Sequence, residues 1–376
     1  MTKRQDALRS HYIIDGHEMD ATPEQIISAL CDQVPSAPEE QEAQEDIIDE
    51  SADPLPGNDS FDKADVTKYA SLTTNAVRNG FPLSYSGSLS RLAVAKALLE
   101  AIFRNGRFKL GNLKADVSWV WDEAPVGSMA AFYESVSLAC EYLDNLCVGL
   151  RSYKYSSGAV SRLDINCNSV GHGGPGEALF GEDPFNSQAP RISPGQKCPS
   201  TVMAGKGNWL IYIPFDTCPY RLGGSLLSQV TGKDGGKSPD VEDADYFIDC
   251  FEVVRELVED GIAVSGIPVA DGGLMTALSK YLAGKAFKAD IASLMHSGSE
   301  TDPVKLLFGE VPGVIIEIRD FDFDYIDAEL LLQDVAYFPL GQISGENGDL
   351  EIDTAGESAL KGILVSLMDS ASEGED

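Results

Sequence analysis

A chain of 376 residues with 43% hydrophobic content is long enough for two domains and apolar enough to build real cores. Its formal charge of −32 sets it against nucleic-acid phosphates and anionic lipid. No apolar run approaches the ~18 residues that a membrane helix needs, and none follows Met1, so a cytoplasmic protein without a leader is expected.

Thr22 followed by Pro23, with Ile26, Ile27 and Leu30 on one face, predicts a short helix from Thr22 towards Val34. From Glu39 to Asp53 there are eight acids and no base, a stretch whose self-repulsion predicts disorder. Residues 1–60 are therefore expected to be an acidic, largely disordered extension with one short helix, and residues 363–376 a second acidic tail.

Ser88 precedes a run in which Leu89, Leu92, Val94, Ala95, Leu98, Leu99 and Ile102 predict a helix with a wide apolar face. Leu113 to Trp121 reads as a strand and Met129 to Cys147 as an amphipathic helix, with Cys140 and Cys147 as apolar filler. The seven cysteines form no C-x-x-C pair, which argues against a disulfide framework or a zinc knuckle and for a reducing compartment. Gly171 to Glu177 is glycine-rich but lacks the GK[ST] ending of a phosphate loop, and Pro175 removes an amide donor, so a surface turn is expected there.

The second half alternates strands and helices. Trp209–Pro214 and Val314–Ile318 are expected as strands; Ala244–Val258, Gly272–Leu282 and Asp327–Val335 are expected as helices. This is an α/β (α+β) pattern, with domains expected over 61–195 and 196–362.

Several unusual strings follow one another in this half. Tyr220-Arg221-Leu222-Gly223-Gly224-Ser225 comes first, then Pro239-Asp240-Val241-Glu242-Asp243, then Val269-Ala270-Asp271-Gly272-Gly273-Leu274, then Leu307-Phe308-Gly309-Glu310-Val311-Pro312-Gly313. Earlier come Arg91-Leu92-Ala93-Val94-Ala95, Phe132-Tyr133-Glu134-Ser135-Val136 and Tyr153-Lys154-Tyr155-Ser156. In this order they resemble the C-terminal synthetase half of phosphoribosylformylglycinamidine synthase. The resemblance implies a two-domain aminoimidazole ribonucleotide synthetase-like fold, with an N-terminal half-barrel domain and a C-terminal α/β domain. It also implies ATP and Mg2+ as cofactors, and amidine formation from formylglycinamide ribonucleotide. The partners it implies are a second synthetase half and a glutaminase, in a heterodimer, or a second copy in a homodimer.

The family holds its metal with a Glu and an Asn four residues apart on the first long helix, where this chain has Lys96 and Glu100. A lysine there repels a cation; it can instead pair with Glu100 one turn on, or touch a phosphate. The pair before the third string is also changed, to Ile267 and Pro268. Glu100 and Asp271 are the candidate metal ligands, with Asp271 alternatively the cap of the following helix. Lys96, Lys154, Arg221, Gly223, Gly224, Ser225, Gly272 and Gly273 are the candidate nucleotide or phosphate contacts. For Arg221 to Ser225 the structural alternative is a tight turn into a helix, and Glu310 and Gly313 are expected to be structural. The order of the strings supports an active synthetase, and the departures at Lys96, Ile267 and Pro268 support a catalytically degenerate binding protein.

Overall fold

The computed structural model describes residues 6–31, 45–53, 60–72, 78, 80–105, 109–169, 198–203, 207–233, 236–297, 300–344 and 350–353. At the N-terminus, β1 (Tyr12–Ile14) pairs with β2 (His17–Glu18) and runs parallel to β3 (Ile47–Asp49). Between them lies α1 (Pro23–Ala29), where Thr22 and Gln25 form a reciprocal capping box. The expectation of a largely disordered extension thus fails for residues 6–31 and 45–53. Tyr12, Ile27 and Ile47 are buried in the main core, and Asp49 accepts the amides of Gly127 at 2.9 Å, Met129 at 2.8 Å and Ala130 at 3.2 Å. An acid that reads as a source of repulsion is here the charge partner of a helix N-terminus.

After α2 (Lys63–Leu72) comes α3 (Ser86–Asn105), then β4 (Leu113–Trp121), α4 (Ser128–Asn145), β5 (Gly149–Ser157) and β6 (Arg162–Ser169). Alternate residues of β4 are buried, from Leu113 to Trp121, as period-two patterning requires of a strand with one inward face. The sheet order is β5-β4-β6, with β5 parallel and β6 antiparallel to β4. Cys140 is buried as expected, whereas Cys147 is exposed: α4 ends at Asn145, and Cys147 sits past it at φ +55°.

The second half contains β7 (Trp209–Pro214), α5 (Leu226–Thr231), α6 (Ala244–Glu259), β8 (Ala263–Val269), α7 (Gly273–Leu282), β9 (Phe287–Asp290), α8 (Ala292–Ser297), α9 (Pro303–Phe308), β10 (Gly313–Ile318), α10 (Phe323–Leu332), β11 (Phe338–Gln342) and β12 (Leu350–Asp353). Its main sheet has the order β11-β7-β10-β8, all antiparallel, and β12 pairs with β9 in parallel. Every residue of β10 is buried, the mark of a central strand. The helix expected over Asp327–Val335 is α10, which starts and stops earlier, because a 3-10 turn at Asp320–Asp322 leads straight into it.

One apolar cluster runs from Tyr12 through α3, β4, α4 and α6 to Val335, so the two halves share a core. Tyr142 of α4 meets Phe247 of α6 edge-on, with ring centres 6.1 Å apart. A second cluster lies under α7, α9 and β9. This arrangement sets α3 between β6 on one side and β8 on the other, and the cleft described next opens along that line.

Candidate functional site

A cleft of about 340 Å3 lies between α3, β6 and the turns before α7 and β10. Leu89, Leu92, Ala93, Lys96, Ala97 and Glu100 recur at helical spacing, so one face of α3 lines it. Opposite stand Arg162 to Ile165 of β6, and at one end Arg78, Asp271 and Glu310. Apolar side chains (Leu89, Leu92, Ala93, Ala97, Leu163 and Ile165) thus alternate with charged ones along both walls, a mixture that suits a small polar ligand.

Four side chains organise the charged end. Lys96 Nζ lies 2.6 Å from Asp271 Oδ2, and Arg78 Nε lies 3.2 Å from Asp271 Oδ1. Arg78 Nη1 donates to the Gly224 carbonyl at 2.7 Å, and Nη2 donates to the buried Glu310. The other oxygen of Glu310 accepts the amides of Leu226 at 2.7 Å and Gly272 at 2.8 Å. Burial works against the Asp271 charge, but Arg78 and Lys96 outweigh it and hold the carboxyl below the usual carboxylate range. Burial likewise opposes the charges of Lys96 and Arg78, and the facing carboxylates more than compensate and raise both. Glu310 goes the other way: its complete burial outweighs Arg78 and pushes it up.

Of the residues predicted from sequence, Lys96, Glu100 and Asp271 line the cleft together. Lys96 does not form an ion pair with the exposed Glu100 as the helical spacing allowed; the less exposed Asp271 takes it at 2.6 Å. Nor does Asp271 cap α7, since both of its oxygens are engaged and the cap residue is Gly272. Lys154 is exposed on β5 and does not line the cleft. Arg221 pairs with Glu242 at 2.9 Å. Gly223 lies so close to Gly236 that a Cβ would stand 2.1 Å from its carbonyl oxygen, and Ser225 caps α5 by accepting the Ser228 amide at 3.2 Å. That loop is the tight turn into a helix, touching the site through the Gly224 carbonyl on Arg78 and the Leu226 amide on Glu310. Gly272, at φ +78°, and Gly273 bring the α7 turn against Tyr69 and α9. The loop Gly171–Glu177 lies outside the described residues.

Sequence reasoning missed Arg78 and Arg162 and took Glu310 as a turn residue. Nothing in the string around Arg78 marks it, because its partners are 193 and 232 positions away.

The residues present do not fit a Mg2+ site. Magnesium needs free carboxylate oxygens, and here an ammonium and a guanidinium hold those of Asp271. Among the described residues no three His, Cys, Asp or Glu side chains group to hold a metal. Also among them, no helix is long and apolar enough to cross a membrane.

No family model matches the chain. The probable chloroplastic/mitochondrial phosphoribosylformylglycinamidine synthase of Arabidopsis thaliana is 27% identical over 259 residues, 68% of this chain and 17% of that protein. The probable membrane antigen 75 of equine herpesvirus 2 is 28% identical over 253 residues, 64% of this chain and 17% of that protein. The chain therefore spans about a sixth of the length of these relatives. Among solved structures, PurLQS from Thermotoga maritima superposes with a TM-score of 0.50 at 10% identity, covering 74% of this chain and 41% of that one. By sequence the chain is a relative of phosphoribosylformylglycinamidine synthase, built on the aminoimidazole ribonucleotide synthetase-like fold.

Proposed function

We propose that this chain is a catalytically degenerate synthetase relative that binds a nucleotide through its phosphates and acts as a binding or assembly protein. One observation carries the reading: the Lys96 ammonium and the Arg78 guanidinium share the Asp271 carboxylate. A cation-binding acid has become the counter-ion of two fixed positive charges, and a phosphate is the natural competitor for them. Arg162, exposed at the cleft and paired with Asp164 at 3.0 Å, adds a third. The apolar side chains of α3 and β6 in the cleft, Leu89, Leu92, Leu163 and Ile165, suit a base or sugar, and the volume is within the ~300–1,000 Å3 usual for small-molecule sites.

Calorimetry with ATP tests this. Binding of equal affinity in Mg2+ and in EDTA, without ADP release, is expected. Binding that requires Mg2+, or steady hydrolysis, overturns it. The order of the sequence strings favours a second reading: a subunit of formylglycinamidine ribonucleotide synthesis that works with another synthetase half and a glutaminase. It predicts ATP-dependent consumption of formylglycinamide ribonucleotide, with ammonia as nitrogen donor, once a separate synthetase half is added.

A further inference from the structure

Of the eight large apolar side chains that stand exposed among the described residues, four lie within twelve positions of one another. Phe321 is 78% exposed, Tyr325 50%, Leu331 65% and Leu332 79%. The helical repeat explains why they share a side. Ile326 and Leu330 of α10 are buried, one turn apart, which leaves Tyr325, Leu331 and Leu332 on the outer face. Phe321, in the turn before α10, continues that face, with the Arg319 guanidinium 5.7 Å from its ring centre. Scattered exposed leucines need no explanation, but a contiguous helix face of this kind marks a contact surface.

The charge around the face says what covers it. Between 319 and 334 there are six acids, and Arg319, the single base, is paired with Asp322 at 3.4 Å. Asp320, Asp324 and Asp334 are exposed beside the apolar side chains. A second copy would bring the same acidic rim, within a molecule of charge −32, against itself. An anionic lipid surface is repelled for the same reason. We propose that the outer face of α10 docks a basic amphipathic helix of a partner protein. The partner's apolar stripe would lie on Phe321, Tyr325 and Leu332, and its lysines or arginines against the flanking aspartates.

The probe is a synthetic helix of leucine and lysine, titrated into the full-length protein, with a leucine–glutamate helix as control. The lysine helix is expected to bind, to protect the amides of residues 323–332 from exchange, and to bind less tightly as salt rises. The double variant F321S/L332S leaves the charge unchanged and involves only exposed side chains; it should weaken binding about tenfold or more. D324N/D334N should flatten the salt dependence. Equal binding by wild type and F321S/L332S would reduce the effect to bulk attraction and overturn the proposal, as would no binding. Self-association abolished by F321S/L332S would make a second copy the occupant. Binding that appears only after removal of residues 354–376 would make the chain's own C-terminal segment the occupant. Either result would also overturn it.

Discussion

Glu310 serves three neighbours at once: the turn before α5 through the Leu226 amide, the turn before α7 through the Gly272 amide, and Arg78 through its second oxygen. Removing it takes one of three partners from Arg78 and the carboxylate acceptor from two amides. Glu310→Ala should therefore cost about 3–5 kcal/mol of stability, the usual penalty for breaking a buried pair from one side, while Glu310→Gln, which keeps one acceptor, should cost less. Urea unfolding measures both. Asp271 sets an acid limb. Its folded-state carboxyl lies below the ordinary 3.8, so the stability it contributes is complete above that value and fades as pH falls through the lower, folded one. Asp271→Asn should flatten the stability profile below pH 3.8 and leave its neutral part parallel to wild type. Lys96→Glu tests the site chemistry directly. It removes the ammonium from Asp271 and sets three carboxylates, counting Glu100, along one cleft. Mg2+ binding, expected to be missing in the wild type, should then be measurable by calorimetry.

Helix ends link these residues to the elements they hold. The first turn of α4 is closed by a carboxylate from β3, more than seventy residues earlier, and not by a residue of its own loop. Asp49→Ala should lower stability by about 1–2 kcal/mol, the cost of a lost cap, read as a fall in the urea midpoint at unchanged slope. At the start of α7, a Cβ on Gly272 would stand 2.2 Å from the Tyr69 hydroxyl, on a backbone at φ +78°. Gly272→Ala should cost about 2 kcal/mol or more through strain and displacement of Tyr69, read as a fall in the urea midpoint. The regular interiors were legible beforehand: β7 and β4 fall where alternation and apolar runs put them, and α6 and α7 begin within a residue of prediction. The N-terminal strands were not. Ile47 and Ile48 are two apolar residues in an acidic run, too few to show a period, and their partners in β1 lie 35 residues away.

At the scale of the molecule, β5 and β6 are the edge strands of the β5-β4-β6 sheet, with only the bridge from Cys31 to Leu150 at the start of β5 among the described residues, and the family resemblance predicts that such a sheet completes a barrel by pairing. Sedimentation at micromolar concentration should show self-association that strengthens with salt, since salt screens the repulsion between two chains of −32. A strictly monomeric species at all salt concentrations would refute this. Taken alone, the sequence determined what depends on neighbours along the chain: helix faces at i, i+3 and i+4, strand alternation, caps such as Thr22, and the ordered strings that mark the family. Only the tertiary structure decided the chemistry of the cleft, because Lys96 gained Asp271 in place of Glu100, and Arg78 gained Asp271 and Glu310, across separations of 175, 193 and 232 residues. Local spacing shows which partners a charge can reach. Folding decides which of them is the least solvated, and that one takes it.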